Sequence, residues 1–201
     1  MSLLCRRSLL LGGAALLAST VSADGQSALE FAVFTELSPD TKPMKPGWNR
    51  RMLTNTDSRK GDSIQCDFAT GIVTLAPGTY HLSGMSIVTY HTGREPPETT
   101  TIKAPTASAG YCRLRTVEPG DKAEVTSLRG IDNGNPSVIC VGSTSAANMV
   151  PSVFETFLET SRTAQLVLEH QSGDKPDQIY LRVFVENSKW HALARLSIRR
   201  F

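Results

Sequence analysis

Histidine spacing limits the metal chemistry that this sequence could support. The chain has four histidines, at positions 81, 91, 170 and 191, and no His-x-His pair. His81 and His91 lie near the two ends of one predicted strand, about 33 Å apart at ~3.3 Å per residue. These two side chains therefore cannot share one ion. Histidines from different strands could still converge, so a metal-dependent enzyme stays open as an alternative.

Patterns for nucleophilic or phosphate chemistry are absent. The sequence has no Gly-x-Ser-x-Gly elbow and no glycine-rich run that could cradle a phosphate. Its aspartates do not follow the spacing of a calcium-binding loop. A Ser/His/Asp triad is defined by geometry rather than spacing, so the sequence leaves one open. We predict no catalytic residue, no metal ligand and no bound cofactor.

Three glutamates and one tripeptide are better explained by surface strands and turns than by chemistry. Glu155, Glu159 and Glu169 lie in strand-like patterns, which predicts solvent-facing side chains rather than paired acids. Lys60-Gly61-Asp62 resembles a short adhesion tripeptide. Its place before a predicted strand favours an ordinary turn.

The first 23 residues have the three parts of a secretory signal peptide. Arg6 and Arg7 form a positive start, residues 9–17 an apolar segment, and Val21-Ser22-Ala23 a small-residue cleavage site. The apolar segment is too short to span a bilayer, which needs about 20 residues. We predict a cleaved signal peptide at 1–23, a single domain at 24–201, and a secreted or periplasmic protein. The paired arginines also resemble a twin-arginine export signal.

The charge balance of residues 24–201 argues against two classes of partner. Residues 1–23 contain two arginines and no acid, so Lys plus Arg falls from 21 to 19 and equals Asp plus Glu at 19. A formally neutral chain lacks the basic surface that nucleic acids require. It has no electrostatic attraction to anionic lipid, and no later segment is apolar enough to span a membrane. We predict neither a nucleic-acid partner nor a membrane span.

Three cysteines follow the signal peptide: Cys66, Cys112 and Cys140. Export usually means an oxidising compartment, in which a pair can form a disulfide. An odd number leaves at least one unpaired within the chain. Cys112 and Cys140 both lie in strand-like runs, and two interpretations stay open. Either these two form a disulfide, or all three are small buried thiols.

Short apolar runs between turn residues predict an all-β domain. Residues 61–90 are typical of three strands, separated by a turn at 67–71 and by Ala76-Pro77-Gly78. Residues 29–36 and 190–198 alternate apolar and polar side chains with period two. Further strand runs lie at 153–160, 164–169 and 178–185. Many short strands with Pro and Gly turns, and no amphipathic helix, predict a sandwich or barrel.

One series of motifs resembles the complement-type globular head. Asn55, the turn Phe68-Ala69-Thr70-Gly71 and the segment Pro77-Gly78-Thr79-Tyr80-His81-Leu82-Ser83 carry the resemblance. They are similar to the signature of the jelly-roll superfamily that includes the q-type head of complement's first component and tumour necrosis factor. A last strand that ends on Phe201 is also similar to that superfamily. The resemblance covers residues 28–201 and implies a jelly-roll β-sandwich of about ten strands.

The resemblance also implies a homotrimer, because heads of this superfamily usually assemble around a three-fold axis. Tyr80 and Leu82 correspond to apolar positions that lie inside the protomer or near the axis, and both places stay open. Residues 179–185 are apolar on one face, and Tyr180 and Phe184 place aromatic side chains on the other. Because a face that meets water should be polar, we predict that a second copy or a loop covers Tyr180 and Phe184.

The export signal, the neutral surface and the missing catalytic pattern favour a protein that binds rather than catalyses. We predict an exported, non-catalytic jelly-roll binding protein, assembled as a homotrimer, that presents its loops to a protein or glycan partner. An exported metal-dependent enzyme of the cupin-like jelly-roll type is the alternative. A structural component of the cell envelope is a third function class.

Overall fold

The computed structural model describes residues 29–37, 42–89, 109–117, 137–145, 149–172, 179–182 and 192–201. These ranges contain thirteen strands and no helix long and apolar enough to cross a membrane. In chain order the strands are β1 Glu30–Leu37, β2 Lys42–Pro43, β3 Trp48–Arg50, β4 Asn55–Lys60, β5 Ile64–Asp67, β6 Ile72–Leu75, β7 Gly78–Ser86, β8 Tyr111–Thr116, β9 Val138–Val141, β10 Ser152–Thr160, β11 Ala164–Gln171, β12 Tyr180–Arg182 and β13 Ala192–Arg200.

Two antiparallel sheets hold most of these strands. Sheet I has the order β10-β7-β13-β1-β4, and sheet II has the order β5-β6-β11-β8-β9, with β3 paired to β11. The connections β6–β7, β7–β8, β9–β10 and β10–β11 each pass from one sheet to the other. The last strand, β13, enters sheet I between β7 and β1. Repeated crossing between two packed sheets defines a jelly roll, and the predicted all-β jelly-roll fold is confirmed.

The turn between β5 and β6 shows how local sequence sets the strand ends. The Asp67 carbonyl accepts the Gly71 amide at 2.7 Å, and its carboxylate accepts the Ala69 amide at 2.9 Å and the Thr70 hydroxyl at 2.6 Å. The hydrogen bonds from the Thr70 hydroxyl and the Ala69 amide lower the pKa of the Asp67 carboxyl. Gly71 has a φ of 69°, which glycine adopts without steric cost. The predicted turn at 67–71 therefore separates two strands.

Alternate residues of both sheets fill the core. In β7, Tyr80 and Leu82 point inward and are fully buried. The Tyr80 hydroxyl donates to the Ala76 carbonyl at 2.7 Å, which satisfies its one polar group. Their neighbours in the core are aliphatic and come from both sheets: Val73, Leu75, Leu114, Leu166, Leu168, Ala194, Leu196 and Ile198. Each large side chain buried in this way stabilises the fold by roughly 1.5–3 kcal/mol.

The outward side of sheet II carries a buried charged cluster. Glu169 in β11 accepts hydrogen bonds from Arg113 Nε at 2.8 Å and from Arg115 Nε at 3.1 Å. The Arg113 guanidinium lies 3.9 Å from the centre of the Trp48 ring, which contacts Tyr111 edge-on at 5.3 Å. The prediction of a solvent-facing Glu169 is therefore wrong. Its two arginine partners lie on β8, a strand too distant in sequence for an alternation pattern to reveal.

The predicted strand at 178–185 is only partly seen. Tyr180–Arg182 form β12, which pairs with β2 in a small sheet of its own. The Tyr180 amide donates to the Thr89 carbonyl at 2.8 Å, and the Thr89 amide donates back at 3.1 Å. Residues 183–185 lie outside the described ranges. Within those ranges, β12 pairs with β2 and, at Tyr180, with Thr89, which follows β7 in the chain. It does not pair with a strand of either main sheet.

Candidate functional site

The outer face of sheet I combines exposed aromatic side chains, charges of both signs and a concavity. Three rows of side chains cross it from β10 to β4, as the strand registers require. The first row is Phe157, His81, Arg199, Phe31 and Lys60. The second row is Glu155, Ser83, Ser197, Val33 and Ser58. The third row is Val153, Met85, Arg195, Thr35 and Asn55. We call these three rows, with Glu159 and Phe201 at one end, the outer face.

Large apolar side chains on the outer face are left in water. Phe157 in β10 is 66% exposed, Phe201 after β13 is 60% exposed, and Val153 is 49% exposed. The Phe157 ring lies 5.0 Å from the His81 ring and 6.4 Å from the Phe201 ring, measured between centroids. A clustered, exposed set of aromatic side chains is typical of an interaction surface. We call Phe157 and Phe201 the apolar cluster.

Charge on the outer face is separated by strand. The edge strand β10 carries Glu155 and Glu159, whereas the central strand β13 carries Arg195 and Arg199. The Glu155 carboxylate lies 2.6 Å from His81 Nε2. Among the described residues, no carboxylate pairs with Arg195 or Arg199 and no cation pairs with Glu159. An acidic edge and a basic centre therefore share one face.

A concavity of about 300 Å³ lies in the middle of the outer face. Ser83 and Ser197 stand opposite each other across β7 and β13, and their small side chains form its floor. Four larger side chains line it around them: Phe31, Val33, His81 and Arg199. The arrangement combines hydrogen-bond donors and a cation on one side with apolar surface on the other. It suits a group that carries a carboxylate beside an apolar body.

The predicted assembly residues do not lie on the outer face. Tyr80 and Leu82 are fully buried inside one chain, so the interpretation as protomer core is the one that fits. Tyr180 is half-buried in β12, which pairs with β2 rather than with a strand of either main sheet. Phe184 lies outside the described residues. Tyr80, Leu82 and Tyr180 do not form a shared exposed surface.

The cysteine geometry disfavours the predicted disulfide. Cys140 stands opposite Leu114, and Gly142 stands opposite Cys112, so the two cysteines are diagonal neighbours across β8 and β9. Diagonal side chains begin about 7–8 Å apart, whereas a disulfide needs Cβ atoms within about 4.5 Å. All three cysteines that the described ranges contain are free thiols. The interpretation as small, shielded thiols replaces the Cys112–Cys140 disulfide.

Burial suppresses the reactivity of these thiols. It raises the pKa of Cys66 to about 12 and that of Cys140 to about 11, and it raises the pKa of Cys112 as well. The nucleophilic form of cysteine is the thiolate. None of the three thiols therefore has the environment of a catalytic nucleophile.

A second polar constellation, centred on Arg51, lies inside the sandwich. Arg51 Nε donates to Ser86 Oγ at 2.8 Å, and Arg51 Nη1 donates to the Glu36 carboxylate at 3.1 Å. Ser86 Oγ lies 2.7 Å from His170 Nδ1, and His170 Nε2 donates to the Ala109 carbonyl at 2.8 Å. All five residues are buried. The network therefore ties strands of both sheets together and is not open to a substrate.

Metal-binding residues do not gather in the described part of the chain. Its ranges contain no group of three or more His, Cys, Asp and Glu side chains placed to hold an ion. Both ring nitrogens of His170 are used in the buried network, and His81 is paired with Glu155. His91 and His191 lie outside the described residues. Lys60-Gly61-Asp62 forms the exposed turn between β4 and β5, as predicted.

Comparison with known proteins gives matches of structure but not of sequence. No protein-family model and no curated protein matches the sequence. The structure is similar to crystal structures of murine APRIL at pH 8.0 and pH 8.5, with TM-scores of 0.47 and 0.45 and 8% identity in each case; each pairing covers 86% of this chain and 99% of the other. It is also similar to the PRD1 vertex protein P5, with a TM-score of 0.40, 9% identity, and coverage of 86% and 96%.

The chain is a jelly-roll protein of two antiparallel sheets, as the repeated crossing of its strands between the sheets shows.

Sequence reasoning missed the apolar cluster although a signal for it exists. The run at 153–160 places Phe154 and Leu158 on one face and Val153 and Phe157 on the other. A strand that is apolar on both faces needs cover on both faces. The same pattern at 179–185 stays a prediction, because residues 183–185 lie outside the described ranges.

Proposed function

We propose that this protein is a homotrimeric jelly-roll binding head, exported through its N-terminal signal, which presents its loops to a protein or glycan partner. The observation that carries the proposal is the apolar cluster on the outer face. Two large aromatic side chains that lie together on a sheet surface are costly to leave in water, and a second copy that covers them stabilises the assembly.

The layout of the outer face supports contact between unlike surfaces of two copies. The apolar cluster lies toward the edge strand β10, whereas the concavity lies over the central strands β7 and β13. Two different surfaces that fit each other make a head-to-tail contact, which closes into a ring when the rotation allows. The number three comes from the resemblance to the complement-head and tumour necrosis factor superfamily.

Charge complementarity favours a second copy over a neutral apolar partner. The acidic edge of the outer face is matched by a basic centre on the same face, so each copy carries both halves of a complementary pair. Complementary potentials across an interface set its register and discourage wrong partners. A ring built in this way would leave loop tips on the other sheet free, such as the exposed residues 67–69 of the β5–β6 turn. Such tips are the surfaces we expect to contact the outside partner.

Light scattering on the purified protein tests the assembly. We expect a mass about three times that of one chain. Phe157→Glu should reduce it to the mass of one chain, because a carboxylate would be buried without a partner. Phe68→Glu is the matched control, since Phe68 is also an exposed phenylalanine, at 43%, but lies on the β5–β6 turn of sheet II. A wild-type protein that stays monomeric at high micromolar concentration would refute the proposal.

A further inference from the structure

We propose that the concavity on the outer face is a carboxylate-binding site that accepts Glu159 from a second copy of this chain. The site consists of Arg199, Ser83, Ser197 and His81, with Phe31 and Val33 as its apolar wall. This inference rests on the proposed assembly and specifies which groups meet in it.

The donor side of the site is unoccupied within the described part of the chain. The Arg199 guanidinium has no ion-pair partner there, and neither the Ser83 nor the Ser197 hydroxyl is hydrogen-bonded to another described residue. A guanidinium beside two hydroxyls offers up to seven N–H and O–H donors. Charge-assisted hydrogen bonds of this kind are about twice as strong as neutral ones. A carboxylate is the group that satisfies them.

Glu159 is the acidic side chain best placed to supply that carboxylate. It is exposed, lies two residues beyond Phe157 on the same face of β10, and has no cation partner among the described residues. Glu155, by contrast, is already paired with His81 at 2.6 Å. Within one chain, β7 separates β10 from β13, so Glu159 and Arg199 stand on strands that are not neighbours.

A second copy removes that separation. When β10 of one copy lies across the centre of sheet I in the next, Glu159 reaches the donors while Phe157 packs against the Phe31 and Val33 wall. The aromatic contact supplies apolar burial, and the ion pair sets the register. The contact joins an edge strand to a sheet centre, which is the unlike pairing that a closed ring needs.

A charge-swap cycle tests the pairing. Arg199→Glu and Glu159→Arg are each expected to weaken assembly about tenfold or more, because each places two like charges together. The double variant, Arg199→Glu with Glu159→Arg, should restore the wild-type association constant to within about threefold. Arg162→Glu is the control, since Arg162 is also an exposed arginine but lies on the β10–β11 turn and is not one of the side chains of the outer face. Analytical ultracentrifugation over a range of concentrations gives the constants.

The outcomes separate this inference from the proposed function. If the wild-type protein assembles and Phe157→Glu disrupts it, but the double variant is no better than the single ones, the pairing of Glu159 with Arg199 is wrong and the assembly stands. If Arg199→Glu assembles normally and instead loses weak binding of benzoate followed by NMR, the site takes a free carboxylate and not a second copy. A wild-type monomer refutes both proposals.

Discussion

His170 is a buried histidine that the fold holds in its neutral form. Burial lowers its pKa from the ordinary value of 6.5 to about 3, and repulsion from the nearby Arg51 guanidinium acts in the same direction. The neutral ring accepts from the Ser86 hydroxyl at Nδ1 and donates to the Ala109 carbonyl from Nε2. Protonation at Nδ1 would place an N–H donor against the Ser86 hydroxyl, which already acts as the donor in this hydrogen bond. The hydrogen bonds and the low pKa of His170 therefore both indicate a neutral ring.

This residue predicts a dependence of stability on pH. Unfolded chains bind a proton at His170 below about pH 6.5, and folded chains only below about pH 3. The stabilisation is therefore complete above pH 6.5 and is lost as the pH falls toward 3, by up to about 1.4 kcal/mol per pH unit. Urea denaturation gives the free energy of unfolding at each pH. Between pH 7 and pH 4, we expect this free energy to fall more steeply for wild type than for His170→Gln, by up to that amount per pH unit.

The control for this measurement is Thr79→Ala, which changes an exposed residue of β7 that carries no titratable group. Its unfolding free energy should follow the wild-type pH dependence at protein concentrations where assembly is absent. Equal slopes for wild type and His170→Gln would contradict the assignment of the pH effect to His170.

At the scale of the strands, sequence patterns predicted where the strands lie in the chain better than they predicted which strands lie side by side. The turns at 67–71 and 76–78 and the alternation at 190–198 correctly indicated β5, β6, β7 and β13, because turn chemistry and period two are local properties. The disulfide, the exposure of Glu169 and the strand at 178–185 all depended on which strand lies alongside which. That register is a property of the whole sandwich, and a single strand does not encode it.

Gly84, in the middle of β7, shows how tightly two strands of sheet I are packed. A Cβ at this position would lie 2.5 Å from the Phe154 ring and 2.7 Å from the Arg195 carbonyl oxygen. Phe154 is itself a core residue on β10, so it has little room to move. Gly84→Ala should therefore reduce the free energy of unfolding by about 1–3 kcal/mol.

Chemical denaturation of Gly84→Ala and of Thr79→Ala makes this comparison within one strand. Thr79 is exposed on β7, so its truncation should change the unfolding free energy by less than about 0.5 kcal/mol. A Gly84→Ala protein as stable as wild type would mean that β10 shifts readily against β7, and the packing argument would fail.

For the whole molecule, the candidate interaction surface was beyond prediction from sequence alone. The outer face draws its rows from five strands between residues 31 and 199, and the concavity exists because two serines meet across β7 and β13. Tyr80 and Leu82, which were proposed from sequence, have the apolar character of an interface. Side chains alternate along β7, however, and these two point inward to the core. What the sequence did contain was the two-sided apolar pattern of β10, which predicts that something must cover it.

If a second copy of the chain covers the apolar cluster, the folding and the assembly of the protein are linked. Any partner that binds only the folded state stabilises it in proportion to the logarithm of its concentration. For a trimer of chains this size, the thermal midpoint should rise by roughly 4–7 °C over a hundredfold increase in protein concentration. Phe157→Glu should abolish that rise, because it buries an unpaired charge in the contact, whereas Phe68→Glu should retain it. Differential scanning fluorimetry from low to high micromolar protein measures all three. A wild-type midpoint that does not move with concentration would leave the apolar cluster without a second copy to cover it.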